Sequence, residues 1–151
     1  MDEPNLKYLG AAVAIATSRY QNYLAIEASG LVPVSITRGR PRWKVPYRLH
    51  AVIAQLAPSR DVFAIEDEAE FDTAYRAQLD TTGIDVIRDR LEQASESGGN
   101  RGLVLLCFED VGELGEFSCH RRSFARWWQD QCGQDVPELP NPRRLVSKRL
   151  A

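Results

Sequence analysis

The amino-acid sequence predicts an α/β fold, a single Rossmann-like domain in which helices flank a mostly parallel central sheet. Short apolar runs bounded by Gly, Pro and small polar residues alternate with segments whose apolar residues recur at helical spacing. The clearest run, "GLVLLCF" (residues 102–108), is apolar almost throughout, as in a central strand that is covered on both faces. A length of 151 residues corresponds to one domain. We assign that domain to residues 1–140 and regard the basic residues 141–151 as a C-terminal tail.

Three strands and two short helices are predicted in the first half of the chain. The run "AAVAIATS" suits a buried strand, although its alanine content leaves a helix open. The helix that follows is expected to stop at Gly30, because glycine readily adopts the left-handed conformation of a helix end. Pro33 is expected to lie near the start of the second strand or in a strand at a sheet edge, since proline cannot donate to the ladder. The strands are predicted over residues 11–18, 31–37 and 61–65, and the helices over residues 22–30 and 49–57.

The second half is predicted to be mainly helical around the strand at residues 102–108. Apolar side chains at helical spacing indicate an amphipathic helix over residues 68–80. "TGID" (residues 82–85) matches a capping signal for a further helix that ends near Ser95. The last helix, over residues 119–132, has an apolar stripe that we expect to be buried, with two arginines on the opposite side. The stripe is Phe124, Trp128 and Cys132, and the arginines are Arg122 and Arg126. Trp127 is not expected to face inward together with its neighbour Trp128, and we expect it to cover a rim or the sheet.

The charge balance is near neutral overall but uneven along the chain. A formal net charge of −2 gives no global reason to expect nucleic acid or an acidic membrane as a partner. Two segments are nevertheless basic, "TRGRPRWK" (residues 37–44) and "RRLVSKR" (residues 143–149). No apolar run approaches the roughly 20 residues of a membrane span, and the acidic N-terminus does not resemble a secretory signal. With three cysteines, an odd number, we expect a soluble cytoplasmic protein with reduced thiols and no membrane partner.

Several reactive side chains follow the predicted central strand. Cys107 and Glu109 lie at its carboxyl end, and Cys119, His120 and Arg121 lie at the start of the next helix. Ligands of open α/β sheets bind outside the carboxyl ends of the strands, so we expect a site here. A thiol at a helix start beside basic groups is expected to ionise readily. The segment then suits a nucleophilic or anion-facing Cys119, proton transfer by His120 or Glu109, and an anion held by Arg121.

The same segment resembles a known family. "LVLLCFEDVGELGEFSCHRRSFARWW" (residues 103–128) is similar to the DUF488 family, whose hallmark is an "LLC-x-E" strand followed by "CHR". The resemblance implies a small Rossmann-like α/β domain of uncharacterised activity, whose cysteines and basic residues are taken as signs of an enzyme. The N-terminal half departs from the family pattern. Of a Gly-His-Ser element only Ser18 remains, and of an Asp-Val-Arg element Arg38 takes the place of the arginine.

Plainer interpretations of the same residues stay open. Cys107 suits a buried strand cysteine, and Cys119 with His120 suits a capped and packed helix start. A zinc site could be drawn from these three residues and Glu109, but their spacing is not that of structural zinc sites. We therefore expect neither a metal nor a cofactor. A cysteine hydrolase would need a base that faces the thiol, and His50, the chain's other histidine, is the alternative for that role.

The loop of residues 37–44 is a second candidate for binding. Cations that alternate around an aromatic ring suit contacts to phosphates and stacking on bases. The residues concerned are Arg38, Arg40, Arg42 and Lys44, with Trp43 between the last two. If the preceding strand neighbours the 102–108 strand, the first two of these arginines join Arg121 in one cationic pocket. Arg122 is a further candidate for anion binding. A solvated basic loop is the plain alternative.

Two functional hypotheses follow. The first is a DUF488-like protein with an anion-binding pocket for a nucleotide or nucleic-acid phosphate, and with thiol-dependent chemistry at Cys119. In that hypothesis Arg38 and Arg121 contact the anion. The second is a non-catalytic module that binds nucleic acid or protein through residues 37–44 and the C-terminal tail. Neither the substrate nor the oligomeric state follows from the sequence.

Overall fold

The described part of the chain contains one sheet of four strands that are all parallel, which confirms the predicted α/β class. The computed structural model describes residues 12–41, 43–108 and 120–140. The strands are β1 (Ile15–Arg19), β2 (Val32–Ser35), β3 (Ala51–Val52) and β4 (Leu103–Cys107). Their order across the sheet is β1-β4-β2-β3, so β4 lies between β1 and β2. The predicted tail and residues 1–11 lie outside the described residues.

Helices connect the strands. Within the described ranges they are α1 (Tyr23–Ser29), α2 (Arg60–Phe63), α3 (Glu68–Thr82), α4 (Ile84–Ser97) and α5 (His120–Cys132), with a 3-10 helix at Ala54–Leu56. Gly30 ends α1 in the left-handed conformation with a φ of 70°, as predicted. Of these described helices, none combines the length and the apolar character that crossing a membrane requires.

Strand β4 is the centre of the sheet, as its sequence predicts. Each of its five side chains is fully buried. It pairs in parallel with β1, where Ile15 lies opposite Leu103, and with β2, where Val32 lies opposite the same residue. A strand with neighbours on both sides and helices on both faces has no side that contacts solvent, so its sequence is apolar throughout.

Different helices cover the two faces of the sheet. Alternate side chains of β4 point to opposite faces. Leu103, Leu105 and Cys107 pack in the larger core, with buried residues of α3, α4 and α5. Val104 and Leu106 pack in a smaller core with α1 and the residue that follows β1. The chain therefore leaves β1 toward one face and β4 toward the other, which makes the carboxyl edge between these strands a topological switch point.

Pro33 is the second residue of β2, which confirms the expected position near a strand start; it does not lie at a sheet edge, because β2 lies between β4 and β3. The Pro33 carbonyl accepts the His50 N–H at 2.9 Å, so this residue points its backbone polar groups toward the β3 side. Strand β3 pairs with β2 only from Ala51, opposite Val34. The donor that proline lacks thus falls before the β3 ladder begins, and the sheet loses no hydrogen bond.

Two predicted elements between β2 and α3 are wrong. Residues 49–57, predicted as a helix, form β3 and the 3-10 helix, and residues 61–65, predicted as a strand, lie in α2 and the turn after it. The Ser59 side chain caps α2 by accepting the Val62 N–H at 3.2 Å. Val62 is buried whereas Phe63 is 61% exposed, so the apolar pair belongs to a helical turn with one buried face.

Three side chains in the second half differ from their predicted positions. Thr82 is the last residue of α3, and Gly83, with a φ of 96°, ends that helix, so the predicted threonine cap of α4 does not form. Cys132 is exposed, because eight residues along a helix rotate its side chain about 80° from the start of the stripe. Trp127 is buried, and its indole N–H donates to Asp80 Oδ1 at 2.8 Å.

Gly102 sets how closely β1 and β2 approach the start of β4. A Cβ atom there would lie 2.9 Å from the Ala14 carbonyl oxygen and 2.9 Å from Leu31 Cδ2. We predict that Gly102→Ala lowers the free energy of unfolding by about 1–3 kcal/mol, the usual cost of overpacking, in urea denaturation. Gly39→Ala is the control, because its Cβ meets open space and should change stability by less than about 0.5 kcal/mol. Equal losses in the two variants would contradict this packing argument.

Candidate functional site

The carboxyl edge of the sheet, where β1, β4 and β2 end, contains two layers of side chains. The buried layer consists of the Arg121 cluster (Arg121, Glu138, Cys107 and Thr17) and of His120; all are buried except Glu138, whose side chain is 25% exposed. The exposed layer is the basic-aromatic surface, which we define as Arg38, Arg40, Trp43, Lys44 and Phe108.

Arg121 lies inside the protein with 1% of its surface exposed. Its Nε and Nη2 donate to both carboxylate oxygens of Glu138 at distances of 2.8 to 3.1 Å, and its Nη1 donates to Cys107 Sγ at 3.0 Å. A buried cation requires such a partner, because removing it from water is costly. The guanidinium therefore links α5 to the end of β4. Its predicted contact with an anionic ligand stays a prediction.

Glu138 was not identified from the sequence, and it reaches the cluster from the segment after α5. That segment runs beside β1: the Thr17 N–H donates to the Pro137 carbonyl at 2.9 Å, and the Leu139 N–H donates to the Thr17 carbonyl at 2.8 Å. The Thr17 hydroxyl donates to Glu138 Oε1 at 2.7 Å. The edge of β1 is thereby covered. No local sequence pattern indicates that a glutamate in the Pro-rich segment after α5 pairs with a buried arginine.

His120 is held by the backbone of the neighbouring strand. Its Nε2 donates to the Ile36 carbonyl oxygen at 2.6 Å, and its ring contacts the edge of Tyr75 at 5.5 Å between centroids. Burial lowers the pKa of His120 to about 4; the charge of Arg121 acts in the same direction, and the hydrogen bond to Ile36 opposes it. The imidazole is therefore neutral at pH 7, and its predicted role in proton transfer stays a prediction.

The cysteines differ from the expectation of reduced thiols. Cys107 is fully buried and disulfide-bonded, whereas Cys132 is free. Glu109 and Cys119, two of the predicted catalytic residues, lie outside the described residues. Among the residues that are described, no three His, Cys, Asp or Glu side chains form a group that could hold a metal ion. His50 lies elsewhere and hydrogen-bonds Ser97 Oγ at 2.8 Å.

A network of buried hydroxyl groups supports the basic loop. Tyr20 Oη lies 2.7 Å from Ser35 Oγ and 2.6 Å from Thr37 Oγ1. Thr37 in turn donates to the Gly39 carbonyl at 2.6 Å. Because Tyr20 follows β1 and Ser35 ends β2, these bonds fix the start of the loop above the carboxyl edge, on either side of β4.

Three aromatic rings meet at this edge. Tyr20 is buried and lies 5.0 Å from Phe108 and 6.5 Å from Trp43, measured between ring centroids. Trp43 and Phe108 lie 5.8 Å apart at an interplanar angle of 63°. These two rings remain 38% and 40% exposed. The pair thus presents apolar ring surface to solvent on a buried, hydrogen-bonded base.

The cations of the loop flank Trp43, one ring of this pair, in the sequence. Arg38, Arg40 and Lys44 are exposed, and none of them forms an ion pair with any residue in the described ranges. Arg42 lies outside those ranges. Arg122 is half-buried on α5, in a groove that also contains Glu138. The loop arginines are thus on the surface while Arg121 is in the interior.

Arg19 is a further cation at this edge that the sequence did not single out. It ends β1 opposite Cys107, and its Nη1 donates to Gln21 Oε1 at 2.9 Å. Its Nε is buried and has no hydrogen-bond partner among the residues that the structure describes. A buried N–H without a partner is uncommon, because it forfeits the hydrogen bond that water would supply. The position after an apolar strand was the available signal, and it applies equally to many structural arginines.

Comparison with protein-family models, with curated proteins and with solved structures found no match in any of the three. The resemblance of residues 103–128 to the DUF488 family stays a prediction.

His120 is expected to make stability depend on pH. Its pKa is about 4 when folded, below the ordinary 6.5, so the unfolded chain binds a proton that the folded chain does not. Stability contributed by the neutral ring is complete above pH 6.5 and falls by up to about 3 kcal/mol as the pH drops toward 4.

We predict that His120→Asn loses this part of the acid destabilisation, since an amide keeps a donor for Ile36 but does not titrate. The measurement is urea denaturation at several pH values between 4.5 and 7. His50→Asn retains His120 and should retain the loss of stability. Parallel pH profiles for His120→Asn and the parent would contradict the prediction.

Proposed function

We propose that this protein binds single-stranded nucleic acid at the basic-aromatic surface. The observation that carries the proposal is the exposed ring pair of Trp43 and Phe108 at the carboxyl edge of a parallel sheet, together with exposed cations of the loop that pair with no described residue. This edge is where α/β sheets bind ligands, at the point where the chain leaves neighbouring strands toward opposite faces.

Base stacking would supply the uncharged part of the affinity. Stacking of one base on an aromatic side chain is worth about 1–3 kcal/mol and tolerates any base sequence. Phe108 directly follows the rigid strand β4, and Tyr20 packs beneath it with its own hydroxyl fixed by Ser35 and Thr37. Rings that are already held lose little conformational entropy on binding, so more of the stacking energy contributes to affinity.

Phosphate contacts would supply the salt-dependent part. Arg38, Arg40 and Lys44 are exposed cations, so phosphates can reach them from solvent, and none of them pairs with a carboxylate in the described ranges. The attraction is local, because the chain as a whole carries a net charge of −2 and charges are screened beyond about 10 Å at 0.1 M salt. A phosphate at the end of β1 would also give the buried Arg19 Nε an acceptor.

Single strands suit this surface better than duplexes. In a duplex the base faces are stacked on one another, whereas unpaired bases can stack on Trp43 and Phe108. We propose binding without a reaction, because the two predicted catalytic residues that the structure describes, His120 and Cys107, are bonded to other groups of the protein. His120 is neutral and bound to Ile36, and Cys107 is in a disulfide.

We predict that Trp43→Ala weakens binding of a fluorescein-labelled 12-nucleotide oligothymidylate about tenfold, the effect of losing one stacked base. Fluorescence anisotropy at 50 mM salt measures the dissociation constant. Phe63→Ala is the matched control, because Phe63 is 61% exposed on α2 and forms no ring contact with Trp43 or Phe108. Absence of binding by the parent protein, or equal weakening in both variants, would refute the proposal.

We further predict that Lys44→Ala reduces the steepness of the plot of log Kd against log salt by about 0.7, the value for one lost phosphate contact on a single strand. Arg48→Ala removes the same charge from an exposed site beside Pro33 and Gly98, at the amino edge, and should leave the slope unchanged. A duplex of the same length that binds as tightly as the single strand would show that the ring pair does not receive bases.

A further inference from the structure

We propose that the two rings of the basic-aromatic surface receive bases that are not stacked on each other, so that the surface prefers weakly stacking strands, such as pyrimidine runs, to strands of adenine. The inference rests on the proposed function, because it names which single strands that surface would bind best. The feature that carries it is the angle between the ring planes of Trp43 and Phe108, which is 63° at 5.8 Å between centroids.

The angle between the rings excludes a continuous stack of bases across them. Successive bases of a stacked strand are parallel and about 3.4 Å apart, as in each strand of DNA. A base that stacks on an aromatic side chain lies flat on that ring. Two bases that lie flat on Trp43 and on Phe108 are therefore inclined to each other by the 63° that separates the ring planes. Such bases cannot meet face to face, so the strand between them has to be unstacked.

Tyr20 fixes the angle between the two rings. It is fully buried, and its ring packs against Phe108 at 57° and against Trp43 at 85°. Its hydroxyl lies 2.7 Å from Ser35 Oγ and 2.6 Å from Thr37 Oγ1, so the ring beneath the pair is itself held in place. Turning either exposed ring parallel to the other would disturb its packing on Tyr20. The bound strand therefore adapts to the rings.

The exposed area of the rings decides which strands bind more tightly. Adenines stack strongly on their neighbours in a single strand, whereas thymines and uracils stack weakly. An adenine strand thus gains contact with the rings but loses contact between its own bases. Only 38% of Trp43 and 40% of Phe108 is exposed, so neither ring covers more of a base than a neighbouring adenine does. A thymine strand has little stacking to lose and keeps nearly the whole gain.

The preference depends on the pair of rings and not on either ring alone. A base on a single ring can keep its other face against a neighbouring base, so a stacked strand contacts one ring without a break. Loss of one ring should therefore weaken binding of thymine strands more than binding of adenine strands. The cations of the loop contact phosphates, which all strands share, so loss of one cation should leave the preference unchanged.

The test compares fluorescein-labelled 12-nucleotide strands of thymidylate and of adenylate by fluorescence anisotropy at 50 mM salt. We expect the parent protein to bind thymidylate about fivefold more tightly, a modest preference of the kind that differences in stacking produce. The matched ligand is a thymidylate strand of the same length in which every third base is adenine. Its adenines have no adenine neighbours, so it should bind nearly as tightly as thymidylate.

Two variants assign the preference to the ring pair. Phe108→Leu keeps an apolar side chain over Tyr20 but removes the flat ring, and should reduce the preference to less than about twofold. Lys44→Ala is the control, and should weaken binding of both strands equally and keep the preference at about fivefold.

The outcomes separate this inference from the proposed function. Adenylate that binds as tightly as thymidylate, a mixed strand that binds as weakly as adenylate, or an unchanged preference in Phe108→Leu would overturn the inference and leave the binding of single strands intact. Absence of binding of thymidylate by the parent protein would overturn both.

Discussion

The buried guanidinium of Arg121 is the constraint on which the carboxyl edge of this protein depends. Taking such a charge out of water costs several kcal/mol unless it is well paired. Glu138 provides that pairing from a segment that lies beside β1, while the arginine itself projects from α5 toward the end of β4. One ion pair therefore joins the helix, two strands and the chain after the helix. Residues 134–140, which look like an exit from the domain, are required to complete it.

The side chains at this edge fall into two groups, one enclosed in the protein and one exposed to solvent. Those nearest the sheet, such as His120 and Cys107, are enclosed and bonded to the protein itself. Those on the loop after β2 stay exposed and are positioned through the hydroxyl network of Tyr20, Ser35 and Thr37. A single sheet edge can in this way hold an exposed surface above an enclosed layer of bonded side chains.

The sequence predicted the features that depend on local pattern. The unbroken apolar run of β4 indicated a central strand, and Gly30 indicated the end of α1. Residues 61–65 were misassigned because a four-residue helix has too few apolar positions to show a period, and its Ser59 cap is a weak signal. Pro33 indicated a strand start or a sheet edge; it lies near the start of β2, and the sequence could not decide between the two positions because strand order depends on contacts distant in the chain.

The sequence predicted which segments meet at the carboxyl edge, but not how their side chains are oriented or which residues they contact. The carboxyl end of β4 and the loop of residues 37–44 do meet at one edge, as their strand positions implied. Sequence alone could not show that Arg121 is turned inward, because its partner Glu138 lies 17 residues away in an irregular segment. Nor could it show the ring contact between Phe108 and Trp43, since the pairing of β2 with β4 creates that contact. Both features depend on contacts between residues distant in the chain, which no local sequence pattern indicates.

The central claim, that single-stranded nucleic acid binds at the carboxyl edge, is tested most directly by locating the bound strand. Titration of the isotope-labelled protein with a short oligothymidylate, followed by amide chemical shifts, gives that location. We expect the largest changes of amide chemical shift in residues 37–44 and at Tyr20 and Phe108. The shifts at the amino edge, near Arg48 and Arg101, should not change. Shifts centred on the amino edge, or no shifts at saturating oligonucleotide, would contradict it.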